Sequence, residues 1–259
     1  MDFSTSGIVI KEQLQGENDK LLTVLTPNGK VFAYAKGVKK ISSKNAPACQ
    51  LFVYSEFEFI QKNGRLTVKS AIPKEMFYNM RSDIIRYSLA CYFAELTNYV
   101  TMQNSDEVET LRLFLNSLFA LAKKQEIPLW QIKGAFELKL MCICGFMPNL
   151  DSCFECGCEI EISGNNTFSF EEAAFACEKC KKDTSTYSCT LSMEVCNAMK
   201  YICNASIPSF LSFKLADALY HEFLFICENY VIHKTEHSYE TLKVYKSILN
   251  SLEKNEKQK

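Results

Sequence analysis

Several catalytic motifs are missing from this sequence. It has nine glycines, but no two of them are spaced Gly-x-Gly. That spacing belongs to the phosphate loops of dinucleotide-binding folds and protein kinases. A Walker A loop and a Gly-x-Ser-x-Gly nucleophile elbow are absent as well. Hydrolysis of nucleotides and α/β-hydrolase chemistry are therefore excluded on motif grounds.

Histidine is also scarce. The sequence has only His221, His233 and His237, all near the carboxyl end. It contains neither the His-Glu-x-x-His pair of zinc proteases nor the His-x-Glu that precedes the cysteine pairs of zinc deaminases. The sequence therefore predicts a protein that is not an enzyme.

Long apolar runs and excess charge are missing too. No stretch reaches the roughly 18 apolar residues of a membrane-spanning helix, and Met1–Thr5 lacks a secretory signal pattern. The 29 Lys and Arg balance 30 Asp and Glu, which excludes a generally basic nucleic-acid coat but permits a local basic patch. We expect a cytoplasmic globular protein.

Cysteine, in contrast, is abundant. The count of thirteen is odd, and clustered cysteines in a reducing compartment are more often metal ligands than disulfides. Cys153 and Cys156 form one Cys-x-x-Cys pair, and Cys177 and Cys180 form a second, 20 residues further on. Two such pairs supply the four thiolates of a tetrahedral zinc site, and Gly157 suits the turn after the first pair.

This zinc site is expected to be structural. Four sulfur ligands close the coordination sphere and leave no position for a reactive water. The intervening segment Ile160–Phe175 can fold as a β-ribbon that brings the two pairs together. Cys158 or Cys189 could replace one of the four assigned ligands.

The amino-terminal third has the pattern of β-structure. Turn residues such as Pro27-Asn28-Gly29 separate short runs rich in β-branched and aromatic residues. Five short antiparallel strands suit a closed OB-fold barrel, although an SH3-like barrel fits almost as well. The predicted strands are Gly7–Leu14, Leu21–Thr26, Lys30–Lys36, Leu51–Gln61 and Leu66–Ile72.

The remainder has the periodicity of helices. Ser105-Asp106 is placed as an N-cap, Pro128 is placed to begin a helix, and Gly145 to end it. We therefore predict an α+β protein with an OB-fold barrel at residues 1–78. A helical domain at 79–259 follows, with a four-cysteine zinc insert at about 150–185.

One segment combines positive charge with aromatic residues. Five lysines fall within fifteen residues that contain no acid, and Phe32 and Tyr34 alternate along the strand leading into this loop. Lysines neutralise phosphates and aromatic faces stack on bases, so the segment is a candidate site for single-stranded nucleic acid. Alternatively, it is a solvated loop whose aromatics fill the barrel core. The five lysines are Lys30, Lys36, Lys39, Lys40 and Lys44.

Several segments of the sequence resemble the bacterial RecO family of DNA-repair proteins. The resemblance covers about the first 70 residues and the two cysteine pairs. It is carried by Gly7–Lys11, Gly16–Thr26, Gly29–Lys40, Leu51–Glu58 and the four-cysteine site within a helical region.

The resemblance implies a recombination mediator that binds single- and double-stranded DNA and anneals complementary strands. It also implies work with RecR, and in some members RecF, to help load RecA onto strands coated by single-strand binding protein. The helical domain would then dock the acidic, apolar tail of that coat protein, and the protein would be associated with the nucleoid. Two other hypotheses remain: a zinc-stabilised adaptor that binds no nucleic acid, and a zinc-dependent nucleic-acid enzyme.

Overall fold

The computed structural model describes residues 2–62, 64–123, 126–163, 166–181 and 187–256. They form two compact units, one of residues 1–124 with 239–259 and the other of residues 125–238. The first unit contains the amino-terminal barrel together with four helices. The domain boundary at residue 78, which falls inside this unit, stays a prediction.

The amino-terminal strands close into a five-stranded barrel. The strand order is β1-β2-β3-β5-β4, with β3 parallel to β5 and the other pairs antiparallel. This OB-like barrel confirms the predicted fold class. The strands are β1 Asp2–Gln15, β2 Asp19–Thr26, β3 Gly29–Ala35, β4 Tyr54–Lys62 and β5 Arg65–Glu75.

The barrel core follows the alternation expected of half-buried strands. In β4, Phe57 and Phe59 are fully buried and their rings stack at 5.4 Å, while Glu56 and Glu58 lie on the other face. β4 begins three residues later than predicted, because Phe52 has a left-handed backbone with φ of 62°. The chain bends there before the strand starts.

Four helices complete the first unit. Asp83 caps α2 as its side chain accepts hydrogen bonds from the backbone N–H groups of Ile85 and Arg86. The carboxyl-terminal helix α7 packs on α2, and Tyr239, the residue before α7, meets Tyr92 of α2 edge-on at 5.8 Å. The helices are α1 Tyr78–Arg81, α2 Ile84–Val100, α3 Val108–Lys123 and α7 Glu240–Glu256.

The barrel is tied directly to these helices. Lys30 Nζ donates to the carbonyl oxygen of Asn98 at 2.6 Å, and Lys30 N donates to that of Met102 at 2.9 Å. Gly29 has φ of 98°, and a Cβ there would lie 2.7 Å from the Met102 oxygen. Only glycine allows β3 to approach the segment after α2 so closely.

The second unit combines helices with a small sheet of order β6-β8-β7-β9. Pro128 caps α4 and Gly145 follows it with a positive φ, as the sequence predicts. Within Ile160–Phe175, β7 pairs antiparallel with β8, but residues 160–163 are not a strand, so the predicted ribbon is only partly formed. The elements are α4 Leu129–Ile143, β6 Asn149–Cys153, β7 Asn166–Ser169, β8 Ala174–Ala176, β9 Ser188–Leu191, α5 Met193–Asn204 and α6 Tyr220–Thr235.

An ion-pair cluster is buried between α4 and α6. Lys133 Nζ lies 2.7 Å from Glu137 Oε1 and 3.0 Å from Glu228 Oε2. The exposed fractions of these side chains are 2%, 0% and 13%. Burial alone would lower the pKa of Lys133, but the two carboxylates outweigh it and raise that pKa above its usual value. The ammonium therefore stays charged inside the unit.

Across the described part of the chain, no helix has both the length and the apolar character needed to cross a membrane.

Candidate metal centre and nucleic-acid interface

The four predicted cysteine ligands converge. The Sγ atoms of Cys153, Cys156, Cys177 and Cys180 all lie within 4.8 Å of one another, and Cys156 Sγ is 3.7 Å from Cys177 Sγ. A tetrahedral zinc with bonds of about 2.3 Å places its sulfurs about 3.8 Å apart. The donor set and its spacing therefore fit a closed zinc site.

Backbone turns hold both cysteine pairs in place. Gly157 N donates to Cys153 O at 2.9 Å, and Gly157 itself has φ of 70°, the left-handed value anticipated for this turn. In the second pair, Cys180 N donates to Cys177 O at 3.0 Å. Cys177 N also points at Cys153 Sγ, 3.3 Å away, which links the pairs and stabilises a thiolate.

The two alternative ligands are placed differently. Cys158 is exposed and its thiol interacts with those of Cys156 and Cys177, so it lies beside the cluster. Cys189 is on β9, half-buried, and outside the group of four convergent sulfurs. Cys158 is therefore the better of the two candidates to exchange with an assigned ligand.

The structure places four of the predicted DNA-binding residues on one outer face of β3. Ala33 and Ala35 point into the barrel core, and Val31 packs against it. By alternation, the side chains between them point outward: Lys30, Phe32, Tyr34 and, just past the strand, Lys36. We call these four residues the β3 strip. Phe32 is 42% exposed and Tyr34 half-buried, so the aromatics do not fill the barrel core.

Neighbouring strands add two cations that the sequence did not indicate. The guanidinium carbon of Arg65, at the start of β5, lies 5.7 Å from the centre of the Tyr34 ring. Lys11 of β1 is exposed and faces Thr23 of β2, which in turn faces Phe32. Only the strand register brings these residues together. The one sequence signal for Arg65 is that it directly follows Asn63-Gly64, a dipeptide typical of hairpin turns.

The remaining lysines lie on the loop after β3. Lys39, Lys40 and Lys44 are all exposed. The loop is anchored to the β1–β2 turn, because Gly37 N donates to Asp19 Oδ1 at 2.7 Å and Lys39 N donates to Asn18 O at 3.0 Å. Its lysines are therefore carried on a defined backbone. We call Lys36, Lys39, Lys40 and Lys44 the loop lysines.

Lys30 differs from the loop lysines. It is half-buried, its ammonium donates to Asn98 O, and burial lowers its pKa, an effect that Glu107 partly opposes. Its charge contributes to the strip, but its position is determined by contact with α2. The structure thus makes Lys30 the least accessible of the five predicted lysines.

Comparison with known proteins covers nearly the whole chain. Residues 1–77 match the family model described as recombination protein O N terminal, and residues 81–243 match the model described as recombination protein O C terminal. The junction between the matches falls at α1, just after the barrel.

Curated relatives bear the same description. A protein from Acetivibrio thermocellus named DNA repair protein RecO is 33% identical over 95% of this chain and 97% of its own length. One of that name from Alkaliphilus metalliredigens is 31% identical over 96% of this chain and 100% of its own length. A third, from Clostridium novyi, is 28% identical over 80% of this chain and 79% of its own.

Proposed function

We propose, from the premise that the chain belongs to the RecO family of DNA repair proteins, that it is a recombination mediator. In this role it binds single- and double-stranded DNA and anneals complementary strands. In this proposal the protein makes and breaks no covalent bond. It acts at the nucleoid by holding strands, and a structural zinc at the four cysteines stabilises the second unit.

The observation that carries the proposal is the β3 strip. Phe32 is 42% exposed on a barrel strand, and half-buried Tyr34 lies beside it with the Arg65 guanidinium over its ring. Lys30 and Lys36 lie along the same face. A base that stacks on an aromatic ring keeps its phosphates within reach of nearby lysines, and neither contact reads sequence. A surface of this kind suits an annealing protein, which must accept any strand.

The distribution of charge along the chain supports DNA binding by the amino-terminal barrel. Residues 1–80 carry 11 Lys and Arg against 7 Asp and Glu, although the chain as a whole has a net charge of −1. Annealing requires that two polyanions be neutralised and brought together, and lysines on one barrel face supply that neutralisation. The process should weaken steeply as salt rises.

The partner assignments extend the same proposal. The proposed protein partners are RecR, RecF where it takes part, and the single-strand coat protein. The acidic, apolar tail of the coat protein docks on the helices. Loading of RecA follows as their joint result. Measuring annealing on bare and coated DNA, with and without RecR, tests this part separately from DNA binding.

The first prediction concerns the loop lysines. Replacing Lys36, Lys39 and Lys40 together by alanine should weaken oligonucleotide binding at least tenfold at moderate salt. The slope of log affinity against log salt should flatten by about three, roughly one for each phosphate that is no longer neutralised. Fluorescence anisotropy with oligonucleotides of several sequences measures both quantities, and the reduction should be similar for all of them.

A matched control removes the same charge elsewhere in the first unit. Lys69, Lys74 and Lys123 are each paired with a carboxylate, those of Glu58, Glu56 and Glu75 respectively. Their triple alanine variant should bind DNA far better than the loop variant. If both variants lost the same DNA affinity, the effect would come from net charge and not from a site at the loop lysines. Tight binding by the loop variant would place the site elsewhere and favour the adaptor hypothesis.

The second prediction concerns stacking. Phe32→Ala should cost about 1–3 kcal/mol of single-strand binding, because it removes one stacking platform. Duplex binding should change less, since paired bases are already stacked on one another. Phe119→Ala is the control: Phe119 is 40% exposed, nearly the same as Phe32, but lies on α3. Phe32→Trp should keep binding, which separates stacking from damage to the strand.

A further inference from the structure

A cavity of about 310 Å³ lies in the first unit beside the loop lysines. Its wall combines barrel residues, the segment between β3 and β4, and the start of the helical part, including Lys39 of the loop and Arg81 of α1. The volume is at the lower end of the roughly 300–1,000 Å³ that small-molecule sites occupy. It suits one compact ligand.

The wall carries an excess of positive charge. Its cations are Lys20, Lys39 and Arg81, and its carboxylate is Glu12. Glu12 already pairs with Lys20 at 2.8 Å, so these two charges offset each other. Lys39 is exposed and pairs with no carboxylate of the described residues. Two positive charges are left facing the cavity.

Arg81 is held rigidly by neutral partners. Nη1 donates to Gln50 Oε1 and Nη2 to Leu51 O, both at 2.7 Å. Neither acceptor is charged, so the guanidinium keeps its full positive charge in the wall. Its buried Nε has no hydrogen-bond partner in the described part of the chain. A fixed guanidinium with uncompensated charge is well suited to bind an anion.

The other side of the cavity is apolar and aromatic. Val38, Ala46 and Leu51 line it together with Tyr87 of α2. Burial raises the pKa of Tyr87, so its hydroxyl stays protonated at neutral pH and can donate a hydrogen bond. The cavity therefore offers an anion-binding side and a side suited to a flat, weakly polar ring.

We propose that this cavity binds a nucleoside monophosphate group, with the phosphate toward Lys39 and Arg81 and the base toward Ala46, Leu51 and Tyr87. A terminal phosphate carries about −1.5 to −2 charge at neutral pH and matches two cations better than the single charge of an internal phosphodiester. The group can belong to a free nucleotide or to the end of a DNA strand. The strand-end form rests on the proposed function.

The test begins with mononucleotide binding to the full chain. Isothermal titration with dTMP should give one site with a dissociation constant of about 1 mM or tighter. Thymidine and inorganic phosphate should each bind at least tenfold more weakly. No saturable dTMP binding would overturn the proposal. Equal affinity for dTMP and inorganic phosphate would overturn the assignment to a nucleotide.

Three variants locate the site. Lys39→Ala should weaken dTMP binding about tenfold. Lys74→Ala removes the same charge from a residue of β5 that lies outside the wall, and should leave dTMP binding unchanged. Ala46→Leu fills the cavity without changing charge and should abolish dTMP binding, while its melting temperature shows that it is folded. Equal effects of the two lysine variants would overturn the cavity as the site.

Oligonucleotides distinguish the two sources of the ligand. If strand ends enter the cavity, oligothymidine with a terminal phosphate should displace dTMP, and the same strand with hydroxyl ends should not. Displacement by neither would assign the cavity to free nucleotides. If dTMP fails to bind while oligonucleotides still bind through the loop lysines, this inference fails and the proposed function stands.

Discussion

Changing Cys177 to serine is expected to abolish stoichiometric metal binding and to unfold the small sheet of the second unit. The sulfur of Cys177 is 3.7 Å from that of Cys156, and its backbone N–H points at Cys153. The loss of one thiolate therefore affects both cysteine pairs. Structural zinc contributes about 10–16 kcal/mol of apparent binding energy in zinc-finger peptides, and that energy is folding energy.

Elemental analysis and melting with a chelator measure this effect. Wild-type protein should carry one zinc per chain, and chelator should lower its melting temperature. Cys189→Ser is the control, because Cys189 is a half-buried cysteine of the same sheet outside the cluster. Cys158→Ser tests ligand exchange and should keep the zinc. Wild-type protein without zinc, with melting unaffected by chelator, would contradict the prediction.

The second large effect is expected at Lys133. Changing it to methionine removes the ammonium that lies 2.7 Å from the buried carboxylate of Glu137 and 3.0 Å from the half-buried one of Glu228. Breaking a buried ion pair in this way costs about 3–5 kcal/mol. Urea unfolding of the full chain should show a destabilised second unit. Replacing all three residues by apolar ones of similar volume should restore much of the stability.

Lys139→Met provides the comparison on the same helix. Lys139 is half-buried, and its ammonium donates to the carbonyl oxygen of Cys203 at 2.9 Å. Its removal should cost only about 1.5 kcal/mol, the lower end of the contribution of one hydrogen bond to a charged group. If the two variants were equally stable, the buried cluster would contribute no more than the single hydrogen bond of Lys139.

The direction of the pH dependence follows from the raised pKa of Lys133. Native protein holds this proton more tightly than the unfolded chain does. The stabilisation is therefore complete below the usual lysine pKa of about 10.4 and lost as pH rises through the higher native value. Wild type, but not Lys133→Met, should lose this contribution at alkaline pH.

The sequence predicts the convergence of the four cysteines well because its information is local. Each Cys-x-x-Cys pair forms a local turn that points its two sulfurs toward one position. The rest of the fold needs only to bring the two turns together. The alternation of Phe57 and Phe59 with glutamates is equally local, and it identifies β4 as a half-buried strand. Features of this kind depend on residues a few positions apart.

Other features depend on contacts that sequence spacing does not encode. The pairing of Arg65 with Tyr34 requires the β3–β5 register, and burial of Lys133 requires Glu228, 95 residues further along the chain. The left-handed backbone at Phe52 is tolerated because its ring packs between Tyr87 and Phe114. Each of these is a tertiary effect that overrides a local preference.

The return of α7 to the first unit affects how the chain folds during synthesis. Residues 125–238 must all leave the ribosome before α7 does, yet α7 and the preceding Tyr239 pack on the face of α2 that carries Tyr92. At about 5–20 residues per second, that face waits on the order of ten seconds for its partner. The nascent protein thus exposes an aromatic surface while nearly half of its length is still being made, which makes it a candidate client for chaperones at the tunnel exit.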